Sequence, residues 1–261
     1  MLSRWWKNIW PYRELFFFLA WRDVKIRYRQ TVMGASWAVL QPLVTMIVFT
    51  VLFGRIVKVP SDGIPYPLFS YSGLLLWTYF SVALTGGAGS LVGNSNLIGK
   101  VYFPREALPA APILAALVDL GVSILLLFGL MIYYHAPFTW HLLFLPFLVV
   151  ELAVFVMAVS MALAAVNVKY RDVKHALPFV IQLWMFLSPV IYPTSMVPER
   201  YRFLLAFNPL TGIIETWRDC IFPGRTMNWF LLEASLAITV LVLFLGASYF
   251  KSTERAFADI I

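Results

Sequence analysis

Apolar positions in this chain come in long blocks, and the polar ones gather in short joints between them. Residues 67–90 (PLFSYSGLLLWTYFSVALTGGAGS) hold no Asp, Glu, Lys, Arg or His. A helix rises about 1.5 Å per residue, so a block of that length matches a hydrocarbon slab about 30 Å thick. Six such segments are predicted, at 34–56, 67–89, 107–134, 141–166, 176–192 and 229–250. Pro42, Pro109 and Pro112 fall inside two of them. Membrane helices accept proline where neighbouring groups satisfy the freed backbone. The fold class predicted is an all-α integral membrane protein with six transmembrane helices.

Two stretches depart from the span pattern. Residues 12–29 (YRELFFFLAWRDVKIRYR) interleave aromatic and basic positions. On a helix Arg22, Lys25 and Arg29 share a side with Glu14, while Asp23 and Arg27 lie off it. The segment 1–33 is predicted to carry an interfacial amphipathic helix along the cytoplasmic leaflet, or else an extension of the first span. Residues 193–228 are too apolar for an exposed loop. Two short helical pieces, about 199–207 and 210–221, are separated there by Asn208 and Pro209. They form a re-entrant outer helical hairpin between spans five and six, or an amphipathic pair lying flat. The first needs protein or a watery cavity to cover its backbone. The chain is then one transmembrane domain over 1–261: interfacial helix 1–33, spans one to five within 34–192, outer hairpin 193–228, span six 229–250 and a tail 251–261.

Charge sets the orientation. Fourteen Lys and Arg fall before the first segment, after the second, after the fourth and in the tail, against six in the remaining joints. Cytoplasmic loops carry that excess, so both termini are predicted to face the cytoplasm of a multi-pass inner-membrane protein. Only 13% of residues are charged and 61% are apolar, so the net charge of +7 points to this asymmetry and to membrane lipids rather than to nucleic acid. A single cysteine, Cys220, excludes an internal disulfide and a multi-cysteine metal site. His135, His141 and His175 make no ligand spacing.

Chemistry is scarce. The stretch Gly93–Lys100 (GNSNLIGK) superficially resembles a phosphate-binding loop but spaces its glycines wrongly and has Val101 where a hydroxyl must hold magnesium. An ATP-driven process would therefore need another chain, and no cofactor is assigned to this one. No nucleophile–base constellation is present, so the chain is not expected to be an enzyme. Asp119, Glu151 and Glu233 lie inside apolar segments, where a charge costs about 3 kcal/mol or more. Each must face protein or water, escape at a span end as Glu233 does, or be protonated. Asp119 and Glu151 serve either hydrogen bonding or proton coupling. Aromatics within spans, among them Trp37, Tyr71, Trp77 and Trp184, stack on the apolar faces of sugar rings or simply pack. The small residues Gly86, Gly87, Ala88, Gly89, Ser90 and Gly93 mark a close helix contact.

The stretches RYRQTVMGASWAVLQPL (27–43), KVYFPREALP (100–109), NVKYRDV (167–173), SPVIYPTSMVPE (188–199) and NPLTGIIETWRD (208–219) occur in an order covering nearly the whole chain. That order resembles the ABC-2 type permeases of ABC transporters, and most closely their polysaccharide-export branch, which moves lipid-linked O-antigen or wall teichoic acid. The resemblance implies a homodimer joined to two copies of a separate ATPase that binds the ATP and magnesium. It implies a coupling helix at about 92–105 seated on that ATPase, with Asn94, Asn96, Lys100, Phe103, Pro104 and Arg105 in contact. The joint at Lys169, Tyr170, Arg171 and Asp172 braces the same surface. Spans one and five would line the conduit, through Trp37, Gln41, Gln182, Trp184 and Tyr192, and the outer hairpin would cap it. The expected function is export of a lipid-linked polysaccharide. A drug, haem or simple-lipid exporter of the same superfamily is the alternative, and an ion-coupled carrier or membrane enzyme using Asp119 and Glu151 a further one.

Overall fold

A computed structural model describes residues 10–28, 37–99, 103–222, 224–254 and 257, and every regular element among them is a helix. A 3-10 turn at Trp10–Tyr12 leads into α1 (Arg13–Tyr28). Helix α2 (Trp37–Phe49) runs on through a π-helical stretch, Thr50–Ile56. Then come α3 (Tyr66–Gly93), the one-turn α4 (Ser95–Ile98), α5 (Ala107–Tyr133) and α6 (Leu145–Lys169). The chain closes with α7 (Val173–Phe186), α8 (Glu199–Leu205), α9 (Pro209–Ile221) and α10 (Trp229–Thr253).

Among the described residues five helices are long and apolar enough to cross a membrane: α2 with its π stretch, α3, α5, α6 and α10. Their bounds follow five of the apolar blocks to within a few residues, because one slab thickness sets both block and helix length. The fifth predicted segment differs. Its helix α7 has 14 residues, about 21 Å, short of a span of about 30 Å. It stops where Asn208 Nδ2 donates to the Leu187 carbonyl at 3.2 Å and Pro189 follows.

Helix α3 is the central post, with α5 and α6 packed along it and α10 against α6. Lipid tails give two apolar helices no reason to associate, so close approach through small residues does that work. A Cβ on Gly86 would meet Pro112 Cβ at 2.8 Å, and one on Gly87 would collide with Ser160. Ala88 and Ser90 are buried as well, whereas Gly89 and Gly93 face open space. The predicted packing face is therefore its first half and Ser90.

The apolar interior has two parts. The larger fills the bundle around Phe69, Tyr71, Phe80, Phe155 and Trp217. The smaller joins Leu19, Leu91, Ile98, Phe103, Val168, Phe250 and Phe257 at the end where α1, the α3–α5 joint, the α6–α7 turn and the tail meet. Among the described residues most Lys and Arg lie at this end. Helix α1 packs along α5 with Leu19 buried and Phe17, Phe18, Trp21 and Ile26 turned outward.

Candidate conduit and docking faces

At the basic end, Asn94 closes α3: its Nδ2 donates to the Ser90 carbonyl at 2.8 Å, and its Oδ1 accepts from Arg22 Nη1 at 3.1 Å. Asn96 stands exposed on α4, and Arg171 and Asp172 are exposed in the α6–α7 turn. Lys169 Nζ lies 5.2 Å over the Tyr170 ring. Those positions form a polar surface open to a partner. Phe103 and Arg105 do not belong to it. Phe103 is buried in the smaller core, and Arg105 turns inward, donating to the Glu254 carbonyl with its guanidinium 5.8 Å from the Phe257 ring. Both are held by this chain's own tail, because the joint must pack before it presents anything. Pro104 is half-buried beside them. Lys100 and Arg29 lie outside the described residues.

The conduit positions separate the same way. Trp37 and Gln41 are exposed at the start of α2 and line a cavity of about 340 Å³ together with Arg27, Tyr28, Tyr79 and Asp119. Gln182 is exposed on α7. Trp184 is half-buried; its Nε1 donates to Asn208 Oδ1 at 3.1 Å and its ring meets Phe80 edge-on at 5.1 Å. Tyr192 donates its hydroxyl to the Phe186 carbonyl at 3.0 Å. Tyr71 and Trp77 are taken by the core instead. Tyr71 is wholly buried with its hydroxyl on the Ser123 carbonyl at 3.0 Å, and Trp77 packs on Phe80 at 5.3 Å. An aromatic inside a span reads alike in sequence whether it faces a path or a neighbour. Helices α2 and α7 carry uncovered apolar faces: Val44, Ile47 and Val48 on one, continued by Val51 in the π stretch, and Phe179, Val180, Leu183 and Phe186 on the other.

Asp119 and Glu233 reach polar partners or an exposed position, whereas Glu151 is buried with one oxygen bonded and Oε2 without a partner. Asp119 accepts from Arg27 and from the Tyr28 hydroxyl, both at the end of α1. Glu151 is buried and accepts from the Ser235 hydroxyl of α10. Glu233 is exposed near the start of α10. Arg22 and Lys25, the two described members of the basic side of α1, hold Asn94 and the Trp21 ring; Lys25 Nζ sits 5.7 Å over that ring. Arg27, off that side, is the residue that anchors α1 on α5.

The opposite end contains the arrangement that sequence reasoning missed. Every residue of α9 is buried. Arg218 is 0% exposed: its guanidinium lies 3.8 Å from the Phe69 ring and donates to the carbonyls of Pro189 at 2.6 Å and Val190 at 2.7 Å, and to Glu215 Oε1 at 3.1 Å. Gly73 makes the space, since a Cβ there would sit 2.7 Å from Arg218. Arg225 gathers three carboxylates: Asp219 at 2.7 Å, Glu215 at 2.5 Å and, from the α2–α3 joint, Asp62 at 3.1 Å. The available signal was three charges inside an otherwise apolar ETWRD stretch, with Glu215 and Arg218 one helical turn apart. Protein thus covers the α9 backbone on all sides, while α8 is largely exposed.

Residues 14–222 match the family described as ABC-2 type transporter. The chain is 31% identical to the O-antigen export system permease protein RfbA of Myxococcus xanthus, over 98% of both chains. It is 26% identical to the O-antigen export system permease protein RfbA of Klebsiella pneumoniae, over 92% of each. It is 23% identical to the polysialic acid transport protein KpsM of Escherichia coli, over 90% of this chain and 92% of that one.

Proposed function

Since the chain belongs to the ABC-2 type transporter family, we propose that it is the permease subunit of an exporter for a lipid-linked polysaccharide, driven by a separate ATPase. The observation that carries this reading is the likeness, over 98% of both chains, to an O-antigen export permease. The basic end faces the cytoplasm, as the distribution of Lys and Arg supports. The ATPase seats on Asn94, Asn96, Arg171 and Asp172, and it alone holds ATP and magnesium.

Two copies of the permease pair through the uncovered faces of α2 and α7, which the bundle leaves without a protein neighbour. Trp37, Gln41, Gln182, Trp184 and Tyr192 line the path between them. A polymer needs repeated weak contacts along its route, and exposed aromatic and amide groups supply these without arresting movement. Helix α7 with the chain up to Tyr192 completes a sixth crossing, and α8 and α9 form the outer hairpin that caps the path. Covered backbone is the condition for such a hairpin at membrane depth, and α9 meets it.

The purified chain is expected to hydrolyse no ATP, and hydrolysis to appear when its ATP-binding subunit is added. Deleting the chain from its host should remove surface glycan and leave drug tolerance unchanged. Robust hydrolysis by the chain alone, or intact surface glycan with altered drug tolerance, would overturn the reading.

A further inference from the structure

Helix α10 connects the two ends of the molecule, and it is fastened at both. At the basic end Arg105 donates to the Glu254 carbonyl and lies 5.8 Å from the Phe257 ring. Phe257 in turn meets Phe250 of α10 edge-on, with ring centroids 5.3 Å apart and planes at 71°. Phe250 is 0% and Phe257 1% exposed, so neither ring has room to move alone. Burial, with the Glu106 carboxylate beside it, holds the Glu254 carboxyl above its usual range, against the smaller pull of Lys251 and Arg105. Glu254 and Phe257 are thus packed against the bundle.

At the other end α10 meets the buried helix α9 without a gap. A Cβ on Gly212 would collide with the Leu231 carbonyl, and Ser235 Oγ lies 3.1 Å from the Pro209 carbonyl oxygen. The Asn228 amide that opens α10 donates to Asp219 of α9 at 3.3 Å. Between these points lie 25 residues of unbroken helix, about 37 Å long. Nearer the basic end, Gly246 lies against the Ala158 carbonyl of α6, which holds the two helices in close contact. Packed helices slide or rotate as bodies instead of deforming continuously.

We propose that Phe257 is a positioning residue for the coupling step: with the Glu254 carbonyl it fastens the 103–105 joint to α10, which carries a load from the ATPase side to α9. This rests on the exporter reading above. Central helix α3 offers a competing route, since Asn94 ends it and Phe69 touches Arg218. The tail brace is distinguishable from that route because the α3 contacts at Asn94 and Phe69 do not involve Phe257.

The test uses the full chain with its ATPase in the cell membrane, carrying Tyr201→Cys on exposed α8 as a reporter for an impermeant maleimide. Labelling should differ between the nucleotide-free state and the state trapped with ATP and vanadate. Phe257→Leu keeps apolar volume in the core but removes the ring face from Arg105. It should abolish that difference while melting temperature and co-purification of the ATPase stay unchanged. Phe257→Ala should do the same with some loss of melting temperature. Phe257→Leu labelling that still follows nucleotide would overturn the inference and leave the exporter reading intact. Loss of ATPase co-purification in Phe257→Leu would also overturn it, by making the ring part of docking rather than transmission. Parent labelling that ignores nucleotide would overturn the hairpin's role in the exporter reading and the inference with it.

Discussion

Taking a guanidinium out of water costs several kcal/mol, and Arg218 offsets this with one carboxylate, two close backbone carbonyls and the face of Phe69. Remove it and those acceptors are stranded in a dry interior. Arg218→Met should therefore lower stability by about 3–5 kcal/mol, the cost of breaking a buried pair. Thermal unfolding in detergent reads this directly, with exposed Arg200→Met as the control near zero. Equal melting of the two variants would remove Arg218 from the structure's supports. A sequence reader sees Glu215, Arg218 and Asp219 as ordinary joint charges. Their burial depends on Phe69, Pro189 and Asp62, which lie elsewhere in the chain and leave no local trace.

Elements differ in how openly the sequence declares them. Five long helices were legible because apolar run length is a local quantity fixed by the slab. Helix α7 was not, because its end depends on Asn208 reaching back to Leu187, a contact no window of sequence contains. The α3–α5 joint was half legible. Its basic, short character suits a docking place, yet which side chains point outward depends on how Phe103 and Arg105 pack inward. A pair of substitutions separates the two roles. Phe103→Ala should cost about 3–5 kcal/mol of stability as a buried aromatic truncation. Asn96→Asp combined with Asp172→Lys should leave melting unchanged and reduce ATPase co-purification. If Phe103→Ala melts normally and loses the ATPase instead, the two roles must be exchanged.

Across the whole molecule, the carboxylates inside apolar blocks tie helices together. Asp119 holds α1 on α5 and Glu151 holds α10 on α6. If a partner chain supplies the energy, as proposed above, they have no proton to carry. Asp119→Asn and Glu151→Gln should each retain export, measured as surface glycan in complemented cells, with a modest fall in melting temperature. Complete loss of export at normal expression and melting would favour an ion-coupled carrier. Of the positions expected along a path, Trp37 and Gln182 stay on uncovered helix faces. Tyr71 and Trp77 share their composition with the path and their location with the core.

The charge buried in α9 also constrains how the protein is made. A segment carrying Glu215, Arg218 and Asp219 gains nothing by leaving the insertion machinery for lipid, where each charge costs about 3 kcal/mol. It must wait in water until α3 and α6 stand ready to receive it. Assembly therefore finishes at this end of the molecule, and nascent chains caught before that moment present a charged, unseated helix to quality-control proteases.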